Sequence, residues 1–168
     1  MNLTDVKLPK ELEADGAGEV IRQTLGARTV QLWAGSDLSI PLITLGEPSK
    51  RVIRRVYLNG QVRWGLEAIS DKLAKEEKGI TNLRERRGLP TGDRVSRLLL
   101  LSNDGAERFY RRIERLLYAH GPRLFVCMVD MDGDELGRLV TGGERQIKAV
   151  LAEHKGTVAE ILRAVTIG

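Results

Sequence analysis

Two runs of consecutive apolar residues stand out along the chain. Leu98-Leu99-Leu100-Leu101 and Leu124-Phe125-Val126-Cys127-Met128-Val129 have no polar interruption. Short runs that never alternate suit strands covered on both faces. Each ends in turn formers, Ser102-Asn103-Asp104-Gly105 after the first and Asp130-Met131-Asp132-Gly133 after the second. Between them, Ala106 to His120 has helical spacing. Phe109, Ile113, Leu116 and Leu117 make one stripe, and Gly121-Pro122 stops it. Strand, helix, strand at this spacing predicts a parallel βαβ unit with a right-handed crossover, its two strands adjacent and buried. Sites in such sheets form at the carboxyl ends of strands. The acidic ends of both runs are therefore candidate site residues.

The flanks are read by the same rules. Met1 to Asp15 is polar, an arm followed by a short helix. Gly18 to Leu25 continues as helix with Val20, Ile21 and Leu25 on one face and Gly26 as its cap. Residues 29–33 and 38–45 predict strands, the second demoted to an edge or a bulge by Pro41. Residues 51–58 predict a third strand, which Asn59-Gly60 turns into residues 61–64 as a hairpin. Trp33 and Trp64 fit the packing of this small unit. Leu66 to Lys78 predicts a helix ended by Gly79, followed by a short helix over 80–87 and a loop over 88–93. Beyond the acidic loop, residues 135–140 predict a short helix. Residues 146–152 fit helix or strand equally, and Val158, Ile161, Leu162 and Val165 line a last amphipathic helix. The expected fold class is α/β: a small antiparallel β unit over residues 1–64, then a three-layer α/β/α domain over 65–168 with a largely parallel sheet.

Composition narrows the function classes. Aromatic residues make up 4% of the chain, which argues against a surface built on stacked rings. The lone Cys127 sits inside an apolar run, reads as a core thiol and fits a reducing compartment. No apolar run approaches the roughly 20 residues of a spanning helix, and Met1 to Glu19 has no apolar leader core. A cytoplasmic protein without a membrane partner is expected. The net charge of +4 is unevenly spread: residues 50–120 hold 17 basic and 9 acidic side chains. A basic middle points to an anionic partner, against the alternative of a solvated arginine-rich surface.

Three readings compete for Asp130-Met131-Asp132-Gly133-Asp134. An apolar strand followed by D-x-D-G resembles the nucleophile motif of haloacid-dehalogenase-type phosphatases, which implies metal-dependent phosphate chemistry on Asp130 and Asp132, joined here by Asp104. The motif opens the chain in that family, whereas here few residues follow it. A calcium loop fails on the position of its glycine and on Thr141 at the twelfth place. A diguanylate-cyclase-like palm lacks its G-G-D-E-F. A solvated turn that uses Asp and Gly for their turn chemistry is the favoured reading. His120 and His154 have no Cys or acidic neighbour at zinc-ligand spacing, and no phosphate-loop, dinucleotide or nucleophile-elbow motif occurs. Neither a metal nor a cofactor is expected.

Lys78-Gly79-Ile80-Thr81-Asn82 is followed by Glu85-Arg86-Arg87-Gly88, by Leu98 to Leu101 with Asp104 behind it, and by Glu135-Leu136-Gly137. In this order the motifs resemble those of the kink-turn-binding ribosomal protein superfamily, to which the third domain of translation-termination factors also belongs. The chain departs from it at Leu83, where the family has Glu after Asn, and by one residue inserted before Asn82. The resemblance covers residues 78–168 and implies an α/β/α sandwich whose basic loop region approaches RNA. The leading expectation is therefore a non-catalytic RNA-binding module of translation or RNA processing. Lys78, Asn82, Arg84, Arg86, Arg87, Arg94 and Arg97 are its contact residues. The rivals are the phosphate-handling enzyme on Asp104, Asp130 and Asp132, and a protein-interaction domain or homodimer.

Overall fold

The computed structural model describes residues 3–88 and 92–167. Part of the loop expected at 88–93 lies outside them. The two apolar runs are strands β4 (Arg97–Leu101) and β5 (Leu124–Val129), paired in parallel with Leu98 opposite Phe125 and Leu101 opposite Met128. Every residue of both is buried except the half-buried Arg97. Helix α5 (Glu107–His120) connects them.

These strands form the middle of one six-stranded sheet. With β1 (Thr29–Gln31), β2 (Ser39–Ile43), β3 (Val62–Trp64) and β6 (Ala149–Ala152), the order is β1-β2-β5-β4-β6-β3. The centre β2-β5-β4 is parallel, and antiparallel pairings of β1 with β2, β6 with β4, and β3 with β6 flank it. Residues 146–152, left open between helix and strand, supply β6.

Side-chain alternation sorts the core into two layers. Leu98, Leu100, Phe125, Cys127, Val129, Val150 and Ala152 face one side. There they meet α2 (Gly18–Gly26), α3 (Glu47–Leu58), α6 (Gly133–Thr141) and α7 (Lys155–Val165) through residues such as Ile21, Ile53, Leu136 and Ile161. Leu99, Leu101, Leu124, Val126, Met128 and Leu151 face the other side, against α5 and α4 (Leu66–Arg87) through Ile69, Leu73, Ile113 and Leu117. The expected three-layer α/β/α architecture is observed. A short helix α1 (Lys10–Ala14) packs Leu12 at the base of the first layer.

Four expectations are corrected. Residues 51–58 are not a strand: Ser49, Ile53 and Val56 are buried at helical spacing on α3, and Pro48 near its start suits a first helical turn. Asn59-Gly60 is accordingly no hairpin. A type I′ turn needs positive φ at both residues, whereas Asn59 has φ −87° and caps α3. The strands of residues 1–64 do not stand apart as an antiparallel unit, because β1 and β2 extend one edge of the common sheet and β3 forms the other. Finally, Gly79 does not end α4, which runs unbroken for 22 residues to Gly88 in the left-handed conformation. A mid-helix glycine costs only about 1 kcal/mol, which the flanking helix formers offset.

Candidate anion-binding face

At the carboxyl edge of the sheet the three suspected site acids are close in sequence to the ends of β4 and β5, yet each serves the loops. Asp132 caps α6, its side chain accepting from the Glu135 N–H at 2.8 Å. Asp104 accepts from the Gly133 N–H at 3.0 Å. Asp130 accepts from Asn103 Nδ2 at 3.2 Å and lies 3.6 Å from Arg28 Nη1. Burial raises the Asp104 pKa, but the adjacent Ser102 hydroxyl, the Gly133 N–H and Lys148 more than offset this, leaving it below the usual carboxylate range. Among the described residues, no three Asp, Glu, His or Cys side chains are grouped to hold a metal ion. The convergence that metal-assisted phosphate chemistry needs is not met: the carboxylates turn to different partners.

The basic residues occupy the opposite, amino edge. Leu66, Ile69 and Leu73 hold the first half of α4 against the sheet. Glu76 comes next on the same stripe and accepts a forked pair from Arg97, with Arg97 Nη2 2.7 Å from Glu76 Oε2 and Nε 3.0 Å from Oε1. Arg123 adds a contact at 3.2 Å and also donates to the Leu73 carbonyl at 3.3 Å. Past this knot the helix leaves the body: residues 81–88 are all exposed, and Leu83, next on the apolar stripe, is 51% exposed.

The seven expected contact residues therefore divide. Lys78, Asn82, Arg84, Arg86 and Arg87 lie on the exposed half of α4. None of their side chains has a hydrogen bond or ion pair among the described residues. Arg94 is half-buried, with Nη1 donating to the Leu8 carbonyl at 3.1 Å. Arg97 is committed to Glu76 and is not free for a ligand. Lys78-Gly79-Ile80-Thr81-Asn82 lies inside α4 and not ahead of a short helix, a further departure from the family it resembles.

Below the projecting helix lies a cleft of about 790 Å³ walled by segments far apart along the chain. Glu77 and Ile80 of α4, Lys10 and Glu11 of α1, Arg94 ahead of β4, and His120 and Arg123 around the start of β5 contribute to its walls, with Lys155 and Gly156 at the start of α7. His120 is 7% exposed, and its Nδ1 has no hydrogen-bond partner, Glu77 Oε2 lying 3.6 Å away. Burial, then the Arg123 charge, pushes the His120 pKa below its ordinary value, against the pull of Glu77. Lys155 and Gly156 reach this edge because β6 runs antiparallel to β4.

No protein-family model matches the chain, and no curated protein matches it. A solved structure from Bacillus halodurans, described as that of a protein with unknown function, is similar over 71% of this chain and 96% of its own, at 13% identity and a TM-score of 0.43. No helix among the described residues is long and apolar enough to cross a membrane.

Proposed function

We propose that the chain is a non-catalytic nucleic-acid-binding module that grips RNA phosphates with the projecting half of α4. The observation that carries this reading is the set Lys78, Arg84, Arg86 and Arg87: four cations on an exposed helix end, with no carboxylate partner among the described residues. A cation at a helix C-terminus is favourable through the helix dipole alone, but that effect needs only one or two charges in the last turn. Arginine adds a planar fork that holds two phosphate oxygens at once. The low aromatic content fits backbone contacts better than base stacking.

The test is a titration with a structured RNA at two salt concentrations, using the intact chain and the double variant Arg86→Ala/Arg87→Ala. Alanine keeps helix propensity, so α4 survives the change. Binding to phosphates releases counterions, so affinity falls steeply with salt. The double variant should weaken binding to all sequences alike and flatten the logarithmic salt slope by about two, one per lost contact. No binding at low salt, or a slope unmoved by the double change, overturns the proposal.

A further inference from the structure

We propose, building on the RNA-binding reading above, that the projecting half of α4 enters a nucleic-acid groove flanked by two phosphate rows and open enough to admit a helix. The cations of this arm point in different directions. Successive residues of an α-helix are turned by about 100°. Counted from Lys78, Arg86 lies at about 80°, Arg87 at about 180° and Arg84 at about 240° around α4. Arg84 and Arg86 therefore leave the helix axis on nearly opposite sides, and so do Lys78 and Arg87.

A basic helix that lies on a protein body shows its cations on the outer face alone. Here Leu66, Ile69, Leu73, Glu76, Ile80 and Leu83 follow one another at alternating steps of three and four residues, and Arg87 takes the next step. Arg87 thus stands on the side that faces the sheet earlier in the helix. It is exposed all the same, as is every residue from 81 to 88. Glu85 is the one acid among residues 78–88. It follows Lys78 by seven residues, which is two turns, so it offsets charge on the Lys78 side and leaves the three arginines uncovered. A single phosphate backbone running past the arm meets one flank. Engaging Arg84 and Arg86 together takes a phosphate row on each side.

The dimensions select the groove. A helix with its side chains is about 10–12 Å across, and residues 81–88 span about 12 Å. The B-form major groove is about 12 Å wide and about 8.5 Å deep, so an arm of this size fills it to the floor. The major groove of uniform A-form RNA is too narrow for side chains to read, and its minor groove is shallow. A bulge or an internal loop interrupts the stacked pairs and lets that major groove open. An aromatic share of 4% argues against an unpaired strand held by stacking. The ligand is therefore a helical nucleic acid with an open major groove. An RNA stem interrupted by a bulge supplies one, and B-form DNA is the other source.

The test uses a bulged RNA stem, the same stem fully paired, an unstructured RNA strand of equal length and the matching DNA duplex. Each is titrated at two salt concentrations into the intact chain, Arg84→Ala and Arg86→Ala. Both side chains are exposed and alanine favours a helix, so both variants should melt with the parent. The bulged stem should bind at least tenfold more tightly than the paired stem or the single strand. Each variant alone should lower the logarithmic salt slope by about one, because each arginine meets a different phosphate row. A single strand or paired stem that binds as well as the bulged stem overturns the groove assignment and leaves RNA binding in place. A slope moved by one variant and not the other does the same. Tighter binding to the DNA duplex than to the bulged stem upholds the groove and overturns the RNA reading. No binding to any of the probes overturns both.

Discussion

Removing the Glu76 carboxylate should destabilise the fold more than any exposed ion pair does. In Glu76→Ala, Arg97 loses its forked partner and Arg123 loses one of its contacts, at side-chain exposures of 19% and 9%. Breaking a buried pair from one side costs about 3–5 kcal/mol, because the remaining charge is stranded. Glu76 itself is 15% exposed, and Arg123 retains Glu77 and the Leu73 carbonyl, so roughly 2–4 kcal/mol is the reasonable range. For a chain of this size that is a fall in Tm on the order of 10 °C. Urea unfolding of the parent, Glu76→Ala, Arg97→Ala and the double variant gives the coupling energy directly. Glu107→Ala is the control, since its pair with Arg111 is 3.2 Å long but about half exposed on both sides, worth about 0–1 kcal/mol. The pH dependence has a definite sign. Burial raises the Glu76 pKa, but hydrogen bonds and charge from Arg97, then Arg123, more than offset it, so the folded value lies below 4.5. The folded state holds this proton less tightly than the unfolded chain. The stabilisation is therefore full above the ordinary carboxyl range and is lost as pH falls through the folded value. Glu76→Gln should flatten that acid limb. A Glu76→Ala loss no larger than that of the Glu107→Ala control, or a coupling below about 0.5 kcal/mol, refutes the reasoning.

Two further changes test the packing. A Cβ at Gly137 would sit 1.4 Å from the Arg145 carbonyl oxygen, so Gly137→Ala must push α6 off the 143–147 segment; a loss of at least about 1–3 kcal/mol is expected in chemical denaturation, and a neutral result would mean that α6 sits elsewhere. Asp132→Ala should cost about 1 kcal/mol by removing the α6 cap, whereas Asp132→Asn, an equally good cap, should be nearly silent in the same assay.

The parts of the fold that were legible in the sequence are those where one pattern has one solution. Leu98–Leu101 and Leu124–Val129 could only be strands buried on both faces, and Val158, Ile161, Leu162 and Val165 only an amphipathic helix. Residues 51–58 read as a strand running into an Asn59-Gly60 hairpin, yet Val52, Ile53, Val56 and Tyr57 among arginines also fit the helical period they adopt. What decided the matter lies outside the segment, since α3 has α6 and α7 to pack against. The site was less legible than the fold. Residue type marked Arg84, Arg86, Arg87 and Arg97 alike, but only tertiary placement shows that Glu76, 21 residues upstream, occupies Arg97 while the others are open. The cleft could not be read at all. Its walls come from segments around Lys10, Glu77, Arg94, His120 and Lys155, which no local pattern links.

The strand order carries a consequence for biosynthesis. The strands made first, β1 to β3, end up at the two edges, and the strands made last fill the middle. Until β5 leaves the ribosome, β2 has only β1 to pair with, and β3 has no partner before β6 does. A nascent chain of the first 90 or so residues can therefore form the β1–β2 pair but no part of the parallel centre of the sheet. Assembly of the whole molecule waits on the segment from β4 to β6, whose central pair joins through one local helix and is the cheapest long-range contact to close. Arrest peptides placed behind progressively longer versions of the chain should register no folding force until β6 has cleared the exit tunnel.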